Sequence, residues 1–251
     1  MSRLVGKVCL VTGAGRGIGA SAAKAMAAEG AKVYCMARSK EEIESVAREI
    51  TSCCSGTATA VVADLTAPET IKQLYNQIYE ESGGLDVLFA NAGISGLYGV
   101  DVFAPDLDIN KWKEIIDVNL VGTFNSIRMA IPLLNKSAGK KIIVTGSGTG
   151  HFPVPGHSAY GCSKAGLWML VRALAEDLKE KGIAINEVIP GPVATGLLKN
   201  TTAQRKNIGD PIPQEWIKEP DEVVPLVMFL ATQPEGAGPT GQSFSLTRRP
   251  I

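Results

Sequence analysis

A chain of 251 residues with 25 Lys plus Arg against 25 Asp plus Glu carries no net charge, which excludes the electrostatic footprint of a nucleic-acid binder. Hydrophobic residues make up 45% and charged residues 20%, as in ordinary water-soluble globular domains. No apolar run approaches the ~18 residues of a membrane span, and no basic amphipathic stretch suits a membrane surface.

The length suits one large α/β domain with a sizeable core. The five cysteines, Cys9, Cys35, Cys53, Cys54 and Cys162, are odd in number and show no C-x-x-C spacing. That pattern argues for a reducing compartment and against a disulfide framework or zinc site. "MSRLVGKVCLVTG" enters a strand almost at once, leaving no room for a signal peptide, so the expected location is the cytoplasm.

In chain order, "KVCLVT" (7–12) reads as a strand followed by glycines. A helix comes next, with Ile18, Ala22, Ala25 and Met26 on one face and Gly30 at its end. "AKVYCM" (31–36), "ATAVVA" (58–63) and "DVLFA" (86–90) are further strands, alternating with helices at 40–50 and 68–82, the second opening on Pro. A longer helical region, about 110 to 137, is expected to be interrupted near Asn119 and bent at Pro132. "KKIIVT" (140–145), a helix at about 157–181, "AINEVI" (184–189), a helix at 220–232 and "QSFSL" (242–246) complete the alternation. Apolar strands each followed by a helix predict a seven-stranded parallel sheet, doubly wound, with helices on both faces, in one domain over 1–251. The Gly/Pro-rich stretch 190–219 is long for a plain connection and is expected to serve function, as a substrate loop.

"TGAGRGIG" (12–19) follows the first strand and opens the first helix. Gly13, Gly17 and Gly19 allow a tight turn and close approach of a phosphate to the helix amides, although strict G-x-G-x-x-G is not met. The alternative is a turn whose glycines serve packing. At the end of the second strand, where NAD-binding folds place an acidic residue, stand Ala37 and Arg38, with Arg16 in the glycine loop. Two guanidiniums and no carboxylate suit a 2′-phosphate, hence NADPH over NADH, unless both are solvated surface residues. Asp64 ends the third strand and faces the adenine amino group or caps the next turn. Asn91, Ala92 and Gly93 end the fourth, with room for a ribose.

Tyr160 and Lys164 in "SAYGCSKAG" are one helical turn apart and share a helix face. With "TGAGRGIG", "NAG" (91–93), "YGCSK" (160–164) and "PGPVAT" (190–195) in that order, the chain resembles the short-chain dehydrogenase/reductase family along nearly its whole length. Ser147 ends the fifth strand, thirteen residues before Tyr160, and Asn119 stands in "DVNLVG". The resemblance implies a Rossmann fold and a catalytic set of Asn119, Ser147, Tyr160 and Lys164. Tyr160 exchanges a proton with the substrate oxygen, its phenol made more acidic by the neighbouring ammonium. Ser147 holds that oxygen, Lys164 grips the nicotinamide ribose, Asn119 positions a relaying water and Thr195 orients the carboxamide.

The expected NADP(H) contacts are Gly13, Gly15, Arg16, Gly17, Ile18, Gly19, Arg38, Asp64, Leu65, Asn91, Ala92, Gly93, Tyr160, Lys164, Pro190, Gly191, Val193 and Thr195. The expected partner is a small carbonyl or alcohol substrate, with some hydrophobic bulk if Leu197, Leu198 and Trp216 close over it. No metal is expected: Asp101, Asp106 and Asp108 look solvated. His151 and His157 are read as solvated loop histidines beside the substrate, Cys162 as pointing away from the pair, and Trp168 and Met169 as packing or subunit contacts. By the same resemblance the chain forms a homotetramer through the Asn119 and Tyr160 helices. The end "TRRPI", with Arg248, Arg249 and Pro250, departs from the family's Gly-containing exit. A 3-oxoacyl thioester reductase, a non-catalytic NADPH sensor and a sugar-nucleotide epimerase are the alternatives.

Overall fold

A computed structural model describes residues 2–95, 108–197 and 217–247. Asp101, Asp106, Leu198, Trp216 and the Arg248–Arg249–Pro250 end lie outside the described residues. The strands are β1 (Val8–Thr12), β2 (Lys32–Ala37), β3 (Thr57–Val62), β4 (Val87–Ala90), β5 (Lys141–Thr145), β6 (Ala184–Ile189) and β7 (Ser243–Ser245). They form one sheet of order β3-β2-β1-β4-β5-β6-β7, with every neighbouring pair parallel. This is the doubly wound sheet that the alternation of apolar strands and helices predicts.

The period of two along each strand divides the core between the two faces. Leu10, Leu88, Ile142 and Ile185 point to one side, where they meet α3 (Pro68–Ser82), α5 (Thr123–Leu134) and α6 (Ser158–Asp177). Cys9, Val11, Val87, Phe89, Ile143 and Val188 point to the other, against α1 (Gly17–Ala28), α2 (Lys40–Cys53) and α7 (Val224–Ala231). Cys9 and Cys35 are buried as small hydrophobes, and burial pushes the Cys35 thiol up to about 12.

Local chemistry sets the element ends. Ser39 caps α2 by accepting a bond from the Glu42 amide, with Glu41 and Glu42 in the first turn. Pro68 opens α3, and the left-handed Gly83 closes it. The region about Asn119 is interrupted as expected: α4 (Ile109–Ile116) passes into a π-helical segment, Asp117–Gly122, before α5 begins. Such widened turns collect at functional sites. Pro132 lies two residues before the end of α5, so the bond it removes belongs to the last turns. The Tyr160 helix ends at Asp177, and a 3-10 turn carries the chain to Lys181.

β1 pairs with β2 on one side and β4 on the other, so chain order reverses between β1 and β4. In open parallel sheets the crevice beyond the strand carboxyl ends at such a reversal is where ligands bind.

Candidate active site

A cavity of about 500 Å³ occupies that crevice. Its wall contains Gly13, Gly15, Arg16, Gly17, Ile18, Arg38, Asp64, Leu65, Asn91, Ala92, Gly93, Ser147, Tyr160, Lys164, Pro190, Gly191, Val193 and Thr195. Of the residues singled out from the sequence for catalysis or cofactor contact, only Gly19 and Asn119 are missing from it. Both stand behind the wall.

The glycine loop is shaped by close approach. Gly13 has φ +67°, and a Cβ on it would lie 2.8 Å from the Ala92 Cα; a Cβ on Gly19 would lie 2.2 Å from the Gly13 carbonyl oxygen. Gly19 therefore packs the first turn of α1 against the loop. Thr12 Oγ1 accepts bonds from the amides of Asn91 and Ala92, and Asn91 Nδ2 returns one to the Thr12 carbonyl at 3.2 Å. Asn91 Oδ1 accepts from Thr145 Oγ1 at 3.0 Å. The Asn91 amide group thus knits the ends of β1, β4 and β5 together.

Asn119 is completely buried. Its Oδ1 accepts from the Ile94 amide at 2.8 Å, and its Nδ2 donates to the Ile94 carbonyl at 2.8 Å and Ser163 Oγ at 3.0 Å. The side chain braces the segment after β4 against α6.

Ser147 leaves β5 in extended conformation and caps the 3-10 turn Gly148–Gly150, its Oγ accepting from the Thr149 amide at 3.2 Å. That bond uses an oxygen lone pair and leaves the hydroxyl proton free to donate. Lys164 is buried, and its Nζ donates to the Thr145 carbonyl at 2.7 Å. The ammonium lies 5.7 Å from the centre of the Tyr160 ring. Burial drives the Lys164 ammonium down to about 8, with the Glu187 carboxylate pulling the other way. A cation is therefore held next to a phenol inside the cavity.

Two readings change. The cofactor rim does contain carboxylates: Glu42, in the first turn of α2, pairs with Arg16 at 3.0 Å, and Asp64 Oδ2 lies 3.8 Å from Arg38. The sequence reading missed Glu42 because only the fold brings α2 over the glycine loop, and the Ser39 cap was the available clue. Asp64 caps the following turn, as one of its two sequence readings has it, its Oδ1 accepting from the amide and hydroxyl of Thr66, and it also lines the cavity. Burial favours its neutral form, but the Thr66 bonds and Arg38 outweigh burial and hold the carboxyl below its ordinary range. His151 is no solvated loop residue: its side chain is 9% exposed, with Nε2 at 3.3 Å from Glu187. Its ring meets Trp168 edge-on, and Arg172 stacks on that indole, so Trp168 is a packing residue.

His157 lines the cavity, with Nδ1 at 3.0 Å from the Pro155 carbonyl. Cys162 is exposed. Asp108 caps α4. Ile94, Val118 and Phe152 also line the cavity and were not singled out from the sequence. Thr195 packs on the glycine loop, where a Cβ on Gly17 would lie 2.9 Å from its Cγ2.

The family model described as short chain dehydrogenase matches residues 7–206. The chain belongs to the short-chain dehydrogenase family. Among curated relatives, this dehydrogenase is 34% identical over 247 residues to a 3-oxoacyl-[acyl-carrier-protein] reductase of Synechocystis sp., covering 98% of this chain and 97% of that one. It is 36% identical over 245 residues to a versicolorin reductase of Emericella nidulans, with 92% and 90% covered. Among solved structures, a short chain dehydrogenase from Burkholderia cenocepacia in complex with NADP superposes with a TM-score of 0.82 at 33% identity, covering 97% of each chain. The dehydrogenase is an oxidoreductase acting between hydroxyl and carbonyl groups.

Proposed function

We propose that this short-chain dehydrogenase is an NADP(H)-dependent carbonyl reductase, interconverting a ketone or aldehyde and its alcohol. One observation carries the reading: a glycine cradle, two guanidiniums and the Ser147, Tyr160 and Lys164 side chains all line one cavity. The residues suit the cofactor. Gly13 leaves no room for a Cβ beside Ala92, and Gly13, Gly15 and Gly17 line the cavity without side chains, so a phosphate can come close to the loop backbone. Arg38 follows β2, where Ala37 replaces the usual acid, Arg16 stands in the glycine loop, and both side chains are exposed enough to leave their carboxylates for a 2′-phosphate. The NADP bound to the Burkholderia cenocepacia relative supports the same choice.

When bound, the nicotinamide supplies or accepts the hydride. Ser147 Oγ donates to the substrate oxygen and holds it where negative charge develops. Tyr160 Oη gives that oxygen its proton in reduction and removes it in oxidation. Lys164 steadies the negative charge left on the phenol and offers its remaining N–H donors to the ribose hydroxyls. Asn119 braces the wall, and Thr195, on the cavity wall, is read as the residue that would orient the carboxamide. Ile94, Val118, Phe152 and Leu197 favour a substrate with hydrophobic bulk. Reduction of a 3-oxoacyl thioester is a second reading, favoured by the name of the Synechocystis sp. relative.

The test is consumption of NADPH and of NADH with a panel of ketones, aldehydes and 3-oxoesters. NADPH is expected to be the better substrate, and Arg38→Leu to raise its KM about 10- to 100-fold, the worth of charge-assisted hydrogen bonds. The KM for NADH should move no more than a few-fold. A wild-type preference for NADH removes the cofactor assignment.

The domain is read as one unit over 1–251 and placed in the cytoplasm, which five free cysteines support. No helix among the described residues is long and apolar enough to cross a membrane. The subunits are read as a homotetramer built on the Asn119 and Tyr160 helices, where Val121, Phe124 and Met169 are exposed. Sedimentation velocity should give four times the 26.4 kDa chain mass, and Phe124→Asp should lower it.

A further inference from the structure

Glu187 takes no part in the chemistry above, yet it is completely buried in the interior strand β6. Ile185, two residues earlier on the same face, packs into the apolar core. A carboxylate in such a position costs stability unless it is paired.

Its surroundings are specific. Oε2 accepts a bond from Ser243 Oγ on β7 and lies 3.3 Å from His151 Nε2. Ser243 Oγ in turn accepts from Arg172 on α6 at 3.2 Å. Oε1 has no hydrogen-bond partner among the described residues and is directed at Gly146, where a Cβ would stand 1.9 Å from it. Any side chain at 146 would therefore displace the carboxylate. Gly146 joins the two residues the site depends on: the Thr145 carbonyl receives the Lys164 ammonium, and Ser147 follows. His151 closes the turn that Ser147 begins, its amide bonded to the Gly148 carbonyl at 2.9 Å.

We propose that Glu187 is a positioning residue for the reaction, its carboxylate packed on Gly146 and bonded to His151 so that it fixes both the turn that carries Ser147 and the Thr145 carbonyl that holds Lys164. The inference rests on the roles proposed above for Lys164 and Ser147. The charged groups facing the carboxylate are Lys164 and Arg172 from α6 and His151 from the turn; β5 offers backbone and β7 a hydroxyl. Burial lowers the Lys164 ammonium and the Glu187 field opposes it, so removing the charge while keeping the shape must lower it further.

The experiment measures the pH dependence of Lys164 acetylation by acetic anhydride, read by mass spectrometry in the full-length protein without cofactor. It is paired with pH profiles of kcat for NADPH-dependent reduction. Glu187→Gln is expected to move the Lys164 midpoint down by about one pH unit and to shift the alkaline limb of kcat with it. Glu187→Asp, with its carboxylate withdrawn by one methylene, should give a smaller shift of the same sign and keeps the test alive if the glutamine variant folds poorly. His151→Gln should lower kcat and leave the Lys164 midpoint in place. Midpoints equal to wild type in both Glu187 variants overturn the proposal. A shifted midpoint in a protein that oxidises no NADPH keeps Glu187 coupled to Lys164 and removes the reductase reading instead.

Discussion

Tyr160→Phe is expected to lose kcat by about 10³-fold while NADPH still binds within a few-fold of wild type. The substitution removes one oxygen from a side chain on the cavity wall and leaves its ring in place. Proton transfer by a positioned group contributes about 10²–10⁴-fold, and among the described residues no other hydroxyl on that wall has a buried ammonium one helical turn away. Steady-state NADPH oxidation gives kcat, and enhancement of NADPH fluorescence gives binding. Retention of more than a tenth of kcat would shift the proton donor to another group, with His157 the first to try because it lines the same cavity. Unchanged binding together with lost turnover also removes the sensor alternative, since a sensor has no use for the phenolic proton.

The second large effect separates activity from stability. Lys164→Met should lower kcat by at least about 10²-fold, because Tyr160 loses the cation that steadies its phenolate. It should also change how stability responds to pH. In the folded protein the ammonium titrates at about 8, against 10.5 for an ordinary lysine. Below pH 8 both states hold the proton and the cost of burying charge is felt in full. Between 8 and 10.5 the folded state has released it and the unfolded state has not, so stability rises with pH across that window. The rise amounts to about 3 kcal/mol at ~1.4 kcal/mol per unit.

The methionine variant lacks this rise. At pH 7 it should be more stable than wild type by about 2 kcal/mol, once the lost bond to Thr145, worth about 1 kcal/mol, is counted. Urea unfolding of both proteins at pH 7 and pH 10 is the measurement. A variant less stable at pH 7, with the same pH slope as wild type, would contradict the buried-cation account. Stability given up at an active residue is the usual cost of function.

The strands, their order of appearance and the interruption at Asn119 were legible because each is a local pattern: apolar runs, glycine breaks and a helical period that fails. The cavity residues singled out from the sequence were legible for the same reason, since they follow strand ends or share the Tyr160 helix face, whereas Glu42, Ile94, Val118 and Phe152 fit neither pattern. What the pattern does not carry is the far partner of a charged side chain. Arg16 stands in a glycine loop and Glu42 in the next helix, and nothing in their spacing foretells a 3.0 Å contact. His151 sits in a turn-rich stretch that looks solvated, and only the sheet reveals the Glu187 carboxylate beneath it. That glutamate did leave a signal. An acid in the middle of "AINEVI", a strand apolar enough to be covered on both faces, is a local contradiction, and such contradictions gather at functional positions.

The place of β1 in the sheet governs how the molecule is made. Cys9 faces Val33 on one side and Val87 on the other, so one edge of β1 waits for about 78 further residues to be translated. At ~5–20 residues per second this is roughly 4 to 16 seconds with an apolar strand edge open. The wall opposite the glycine loop comes later still, since Thr145, Gly191 and Thr195 belong to the second half of the chain. The nascent chain therefore has to reach the end of β6 on its own contacts, and a nucleotide in the cell meets a finished crevice rather than helping to build one.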